Sequence, residues 1–219
     1  MLYILFSIII YIPVFLGFGS IFQKIFGKLS DGLALKMLSG ILFLVIYWGI
    51  LAFVFPLNLF VEIATIIIGF ASFFYFKNYI EVWNFITDSK LSMIIGLIGI
   101  LFFTSFSPFI LDHFGYYVPT IKWLSEFGLV KGIGNLDLIL GQMSSWHILQ
   151  AGFSNFTDPF LKINAIALLI YYFYILEKKA WFHLCLLPIL FFFLQSPSPD
   201  LPAIAFSLII LQEILNGNK

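Results

Sequence analysis

The sequence predicts an all-α, polytopic transmembrane helix bundle, and three observations carry that prediction. Hydrophobic residues make up 62% of the 219-residue chain and charged residues only 10%. A soluble domain carries about 25% charged residues, so this chain cannot coat itself with a water-compatible surface. Apolar stretches approaching the roughly 20 residues that a helix needs to cross a bilayer recur along its length. Finally, polar chemistry is concentrated in one segment, 112–159, which collects His113, His147, Asp112, Glu126, Asp137 and Asp158.

About seven segments have the apolarity of spans, at 2–22, 38–56, 58–76, 91–110, 161–176, 180–195 and 201–215. They form a single membrane domain over residues 1–219 with no internal repeat. MLYILFSIII lacks a basic leader and a small-residue cleavage site, so it reads as a retained first span. With seven spans, Lys24, Lys28, Lys36, Lys77, Lys90, Lys178, Lys179 and Lys219 share one side, leaving Lys122, Lys131 and Lys162 on the other. The positive-inside rule makes the larger set cytoplasmic. The N-terminus and the segment 111–160 then face outward, and the C-terminus faces the cytoplasm.

The charge balance narrows the function. Formal net charge is +0, with no basic run, so nothing points to nucleic acid. The lone Cys185 excludes an intrachain disulfide. Every cation is lysine, and Phe and Ile abound, a bias typical of AT-rich bacterial genomes and hence of a bacterial inner membrane.

Two amphipathic stripes organise the outward segment. Tyr117, Ile121, Leu124, Phe127 and Gly128 lie on one helical face, with Lys122 and Glu126 as an i,i+4 pair on another. After Gly132 and Gly134, the second stripe is Ile139, Met143, Trp146, Leu149 and Phe153. Two helices lying in the membrane interface fit this spacing, as do two ordinary helices packed on the spans.

Four features could carry chemistry. Asp112 and His113 follow a span directly and precede Tyr116 and Tyr117. A carboxylate there can act as a general base, help hold a divalent cation, or cap the next helix. Ser144, Ser145, Trp146 and His147 form a polar–aromatic cluster, readable as a ligand contact or as a serine cap with an interfacial tryptophan. Three prolines within Ser196–Pro202 impose a stiff turn that presents Asp200 on the side of Asp112. Glu62, near the outer end of the third span, is an intramembrane carboxylate that could be functional, snorkel or stay protonated.

Asp112-His113-Phe114-Gly115-Tyr116-Tyr117, the Pro119–Val130 helix, Gly132–Asn135, Ser144–His147 and the Ser196–Pro202 turn together resemble the outer loop of C-type (GT-C superfold) membrane glycosyltransferases, which use polyprenyl-phosphate sugars. The resemblance covers residues 105–202 and implies sugar transfer from a lipid-linked phosphate donor to an acceptor on the extracytoplasmic face. It implies Asp112 as the base, or an acid linked to a divalent cation, with His113 beside it. Tyr116, Tyr117, Lys122, Ser145, His147 and Asp200 would bind donor or acceptor. Members of that family place the loop after their first span and are longer, so the resemblance implies a divergent, truncated or split member with a possible partner subunit. The competing expectations are a transporter or flippase and a non-catalytic membrane assembly subunit.

Overall fold

A computed structural model describes residues 1–27 and 31–217. The described residues form helices and connecting turns without strands. Lys28 and Lys219, used above for orientation, lie outside the described residues.

Among the described residues, three helices are long and apolar enough to cross a membrane: α1 (Leu2–Phe26), α2 (Leu33–Leu51) and α4 (Asn78–Thr104). The other expected spans are shorter helices: α3 (Leu59–Tyr75) has 17 residues, α8 (Asn164–Lys178) 15 and α10 (Asp200–Leu215) 16. The segment expected at 180–195 is not one helix. It breaks into a 3-10 turn at Trp181–Leu186, a four-residue α9 at Leu187–Leu190 and a second 3-10 turn at Phe191–Phe193. Pro188 lacks the N–H that would continue a regular ladder. Seven regular spans are therefore not what the helix lengths provide.

The fourth expected span begins much earlier, because 78–90 is helical. Asn78, Val82, Phe85 and Ser89 repeat at three- and four-residue steps on the inward side, so the stripe continues through residues too polar for a hydropathy window. Ser89 (φ −121°, ψ 19°) kinks the helix where the polar part meets the apolar part.

α1 is the centre of the bundle, and glycine sets how closely its neighbours approach. A Cβ on Gly17 would lie 2.1 Å from Gly69 O on α3, and one on Gly40 of α2 would lie 2.0 Å from Phe15 O. Backbones in contact at small residues gain dispersion energy that side-chain packing at normal spacing cannot supply.

Polar contacts sort the helix termini into two ends. At one, Glu177 accepts from Leu33 N (2.6 Å) and Ala34 N (3.1 Å), Lys36 pairs with Glu81 (2.5 Å), Lys178 pairs with Glu213 (3.5 Å), and Lys24 lies over the Phe76 ring. The other end holds 105–163, the α2–α3 turn and the 195–200 turn.

The outward segment differs from its expected form. A π-helical turn, His113–Tyr117, leads into α5 (Val118–Phe127), which buries Tyr117, Thr120, Ile121 and Leu124. Gly128 (φ +72°) ends α5, and its absent Cβ would be 2.5 Å from Ala52 O. Leu57 N donates to Leu124 O and Leu129 N to Ala52 O, which fixes α5 on the α2–α3 turn. After the single turn α6 (Ile133–Leu136), the second stripe is helical only as α7, Ser145–Ala151. Asp137 instead caps a turn by accepting from Ile139 N (2.9 Å), leaving Ile139 exposed. α7 does not lie along a surface. Trp146, His147, Leu149, Gln150 and Ala151 are all buried, and a Cβ on Gly152 would sit 2.2 Å from the Trp48 ring. Of the two readings of the stripes, packing on the bundle is the one realised for α7 and for the buried face of α5.

Candidate functional site

The stiff turn before α10 organises the polar cluster. Ser196 and Ser198 are buried on either side of Pro197, so their hydroxyls must find partners inside the protein. His113 Nδ1 lies 3.1 Å from Ser196 Oγ. Ser198 Oγ donates to Asp200 Oδ2 (2.6 Å) and accepts from Asp200 N (3.2 Å), while the Tyr117 hydroxyl also meets Ser198. Tyr117 is thereby joined through Ser198 to Asp200. Burial raises the Tyr117 phenol above its ordinary value, and the charges of Asp200 and Asp112 add to the rise. The hydrogen bond with Ser198 opposes that rise.

Asp112 starts the π-helical turn, but its side chain makes no capping bond and stays exposed. The capping alternative is not realised, and the carboxylate is free to meet a ligand. Its charge also reaches Tyr116, whose hydroxyl bonds to Gln142 O.

His147 forms the inner wall. Ser144 Oγ accepts from His147 N (3.2 Å) and His147 Nδ1 accepts from Ser144 N (3.3 Å), a reciprocal capping box. With Nδ1 accepting, the neutral ring carries its proton on Nε2, which is buried without a protein partner. The ring centroids of Tyr116 and Tyr117 both lie 5.1 Å away. Burial lowers the His147 pKa to about 4. Burial, followed by the charge of Lys162, also lowers that of His113. Both histidines are thus neutral near pH 7 and serve as hydrogen-bonding groups, not cations.

The structure gathers Asp112, His113, Tyr116, Tyr117, His147 and Asp200 from the expected site residues. It does not gather Lys122, which is exposed on the outer face of α5, away from the buried face that carries Tyr117. Ser145 stands apart too, lining a cavity of about 500 Å³ between α2 and α10 whose walls are mainly Leu38, Ile41, Val45, Ala203 and Phe206. Among the described residues, no three His, Cys, Asp or Glu side chains converge to hold a metal ion.

Lys162, which the sequence does not mark as a site residue, lies close enough for its charge to act on His113. Its Nζ donates to Gln195 O (2.8 Å) and Phe106 O (3.1 Å), bridging the exit of α4 and the start of the stiff turn. Burial lowers its pKa to about 8, with Asp158 opposing the fall. A lysine at the outer edge of the 161–176 segment was the only clue in the sequence. Ser196 and Ser198 were visible as part of a rigid turn, but not as partners of His113 and Tyr117.

Beneath the cluster is a buried carboxylate network. Asp158 Oδ2 accepts from Lys162 N (2.7 Å), Gln150 Nε2 (3.2 Å) and the Tyr11 hydroxyl (3.3 Å). Burial nonetheless raises the Asp158 pKa from 3.8 to about 6, with those hydrogen bonds opposing it. A carboxyl whose folded pKa exceeds its unfolded value stabilises the fold at low pH, and that contribution is lost as pH rises through the folded value. Melting curves in detergent test this. Lowering the pH from 7.5 to 5 should raise the wild-type Tm relative to Asp158→Asn by about 4 °C, the equivalent of roughly 1–2 kcal/mol. Parallel pH profiles for the two proteins would contradict it.

Glu62 is neither snorkelling nor aimed into a cavity. Fully buried in the first turn of α3, it accepts from Asn155 N (2.9 Å), Phe156 N (3.0 Å) and Thr157 N (2.6 Å). It is a structural anchor for the chain entering Asp158.

Residues 1–219 match the family described as "Domain of unknown function (DUF8201)". The chain belongs to that family. No curated protein and no solved structure matches it significantly.

Proposed function

We propose that this member of the family is a multi-pass inner-membrane protein that transfers a sugar from a polyprenyl-phosphate donor to an acceptor hydroxyl on the extracytoplasmic face. The observation that carries the reading is the seating of Tyr117, five residues after the exposed Asp112, between the His147 ring and the Ser196–Asp200 turn, which reaches Tyr117 through Ser198 and His113 through Ser196. An assembly subunit would not need these groups in one place. Apolar cavities of about 500 Å³ and 350 Å³ reach the same end of the bundle, which suits a substrate with a hydrocarbon tail.

In this reading the chain crosses the bilayer seven times, with α3, α8, the broken 181–194 segment and α10 as short or tilted passes. The lysine-bearing end is cytoplasmic. Labelling of a Ser145→Cys, Cys185→Ser double variant in intact cells tests the orientation. An impermeant maleimide should react from outside, and reaction only after lysis would reverse the assignment.

The chemistry is a displacement at the anomeric carbon. Asp112 takes the proton of the acceptor hydroxyl as its oxygen bonds to that carbon. The bond from the carbon to the lipid-phosphate oxygen breaks, and its electron pair leaves with the phosphate. The free Nε2 of His113, whose Nδ1 is held by Ser196, orients substrate oxygens, and Tyr117 positions the acceptor through the Ser198–Asp200 chain. Proteoliposomes holding the purified protein and polyprenyl-phosphate sugars test the reading. Wild type should release free polyprenyl phosphate in proportion to glycosylated acceptor, and failure with every sugar in a broad panel would remove it.

A further inference from the structure

We infer that Lys162 anchors the phosphate of a single-chain isoprenoid lipid whose tail lies in the phenylalanine-lined groove between the end of α4 and the broken 188–195 segment. The inference rests on the transfer reading for the lipid's identity, and adds where that lipid sits. The groove has a volume of about 350 Å³ and is walled by Phe103, Phe106, Phe109, Phe191 and Phe192, with Gln195 at its polar edge. Phe103 and Phe191 stack at 4.3 Å, so the wall is held by the protein's own packing. Gln195 donates to Phe103 O (3.3 Å) and Phe191 O (3.2 Å), closing the groove at the outer end.

Lys162 does not line the groove but is tied to two residues that do. The two carbonyls its ammonium bonds, Phe106 O and Gln195 O, belong to groove residues. An ammonium has three donors, so one remains for a ligand. A cation above a hydrocarbon slot is complementary to a lipid phosphate, whose charge requires a donor and whose tail requires removal from water. The larger cavity between α2 and α10 lacks that complement, since Ser144, Ser145 and Trp146 form its polar edge. Placement beside His113 also puts the leaving phosphate next to the cluster that would act on the sugar.

The charged and titratable groups facing Lys162 are Asp158 on its own segment and His113 on the π-helical turn. Asp158 supports the ammonium and His113 is neutral near pH 7, so the anchor titrates through the lysine itself.

Farnesyl phosphate and farnesol, bound to the full chain in detergent and followed by native mass spectrometry, test the anchor. Wild type should bind the phosphate about tenfold more tightly than the alcohol, and the preference should fade as pH rises through about 8. Lys162→Met should abolish the preference, Lys162→Arg should keep most of it, and Lys131→Met should leave it unchanged. Phe192→Ala, at a side chain 63% exposed, should weaken both ligands severalfold without altering their ratio. A retained phosphate preference in Lys162→Met, or unchanged affinities in Phe192→Ala, would overturn the inference. Should Lys162→Met fail to fold, loss of the preference in Lys162→Arg or an unchanged Phe192→Ala would do so. Lys162-dependent binding without sugar transfer by wild type would remove the transfer reading and leave the anchor standing. Transfer undiminished in Lys162→Met would do the reverse.

Discussion

Glu62→Ala should lower the melting temperature of the protein by about 10 °C or more, through a loss of roughly 3–5 kcal/mol. The side chain is fully buried and receives three backbone N–H groups from Asn155, Phe156 and Thr157. Each hydrogen bond to a charged acceptor contributes about 1.5–3 kcal/mol, and leaving its donor buried and unpaired adds a desolvation cost. The effect extends past the three bonds, because the same turn is tied to the rest of the bundle. Asn155 Nδ2 donates to Leu57 O (3.0 Å) and Ser7 Oγ to Thr157 O (2.7 Å), linking the α2–α3 turn and α1. Release of 155–157 would free Asp158, and with it Lys162. Glu62→Gln keeps an acceptor at the site but loses the charge, and should fall between alanine and wild type. Circular dichroism or differential scanning fluorimetry in detergent gives the comparison. A shift of less than about 2 °C for Glu62→Ala would mean that the turn holds without its carboxylate.

Composition made the helical membrane character legible, because too few charged residues are present to face water. Helix ends were legible where apolarity and helix coincide. α1, α3 and α10 begin within about two residues of the expected positions, within the usual spread at helix termini. The two largest errors share a cause. A hydropathy reading follows the solvent a residue prefers and not the hydrogen bonds its backbone makes. It therefore missed the polar half of α4, where Asn78, Val82 and Phe85 continue the inward stripe, and it read Trp181–Phe193 as a single span despite Pro188. The second stripe leaves open whether the bundle or a lipid surface covers it: the bundle covers Trp146, Leu149 and Phe153, while Ile139 stays exposed.

The site was legible to the extent that polar residues are scarce. Asp112, His113, Tyr117, His147 and Asp200 stand out against apolar surroundings, and the structure groups them. Glu62 also stood out, but its partners are backbone N–H groups more than 90 positions away, which residue type does not reveal. Ser196, Ser198 and Lys162 acquire their roles only through tertiary contact. Lys122 enters through the resemblance, and the exposed face of α5 on which it lies carries it away from the cluster.

The second large effect is expected at Asp112. Its exposed carboxylate makes no capping bond, so Asp112→Asn should leave the melting temperature within about 1 °C of wild type. Asparagine keeps the shape and hydrogen-bonding capacity of aspartate but cannot take a proton. If Asp112 is the base, the loss falls on the chemical step, by a factor of about 10²–10⁴. A residue that only positions the acceptor would raise KM and leave kcat largely intact. His113→Ala, by contrast, removes a buried partner of Ser196 and should disturb both folding and turnover, so it separates the two roles poorly.

The most direct measurement is therefore kcat for sugar transfer from a polyprenyl-phosphate donor in proteoliposomes, wild type against Asp112→Asn, with both proteins matched for Tm. The proposed mechanism predicts a fall of at least about a hundredfold at unchanged stability. Equal kcat values for the two proteins would take Asp112 out of the chemistry and with it the proposed active site.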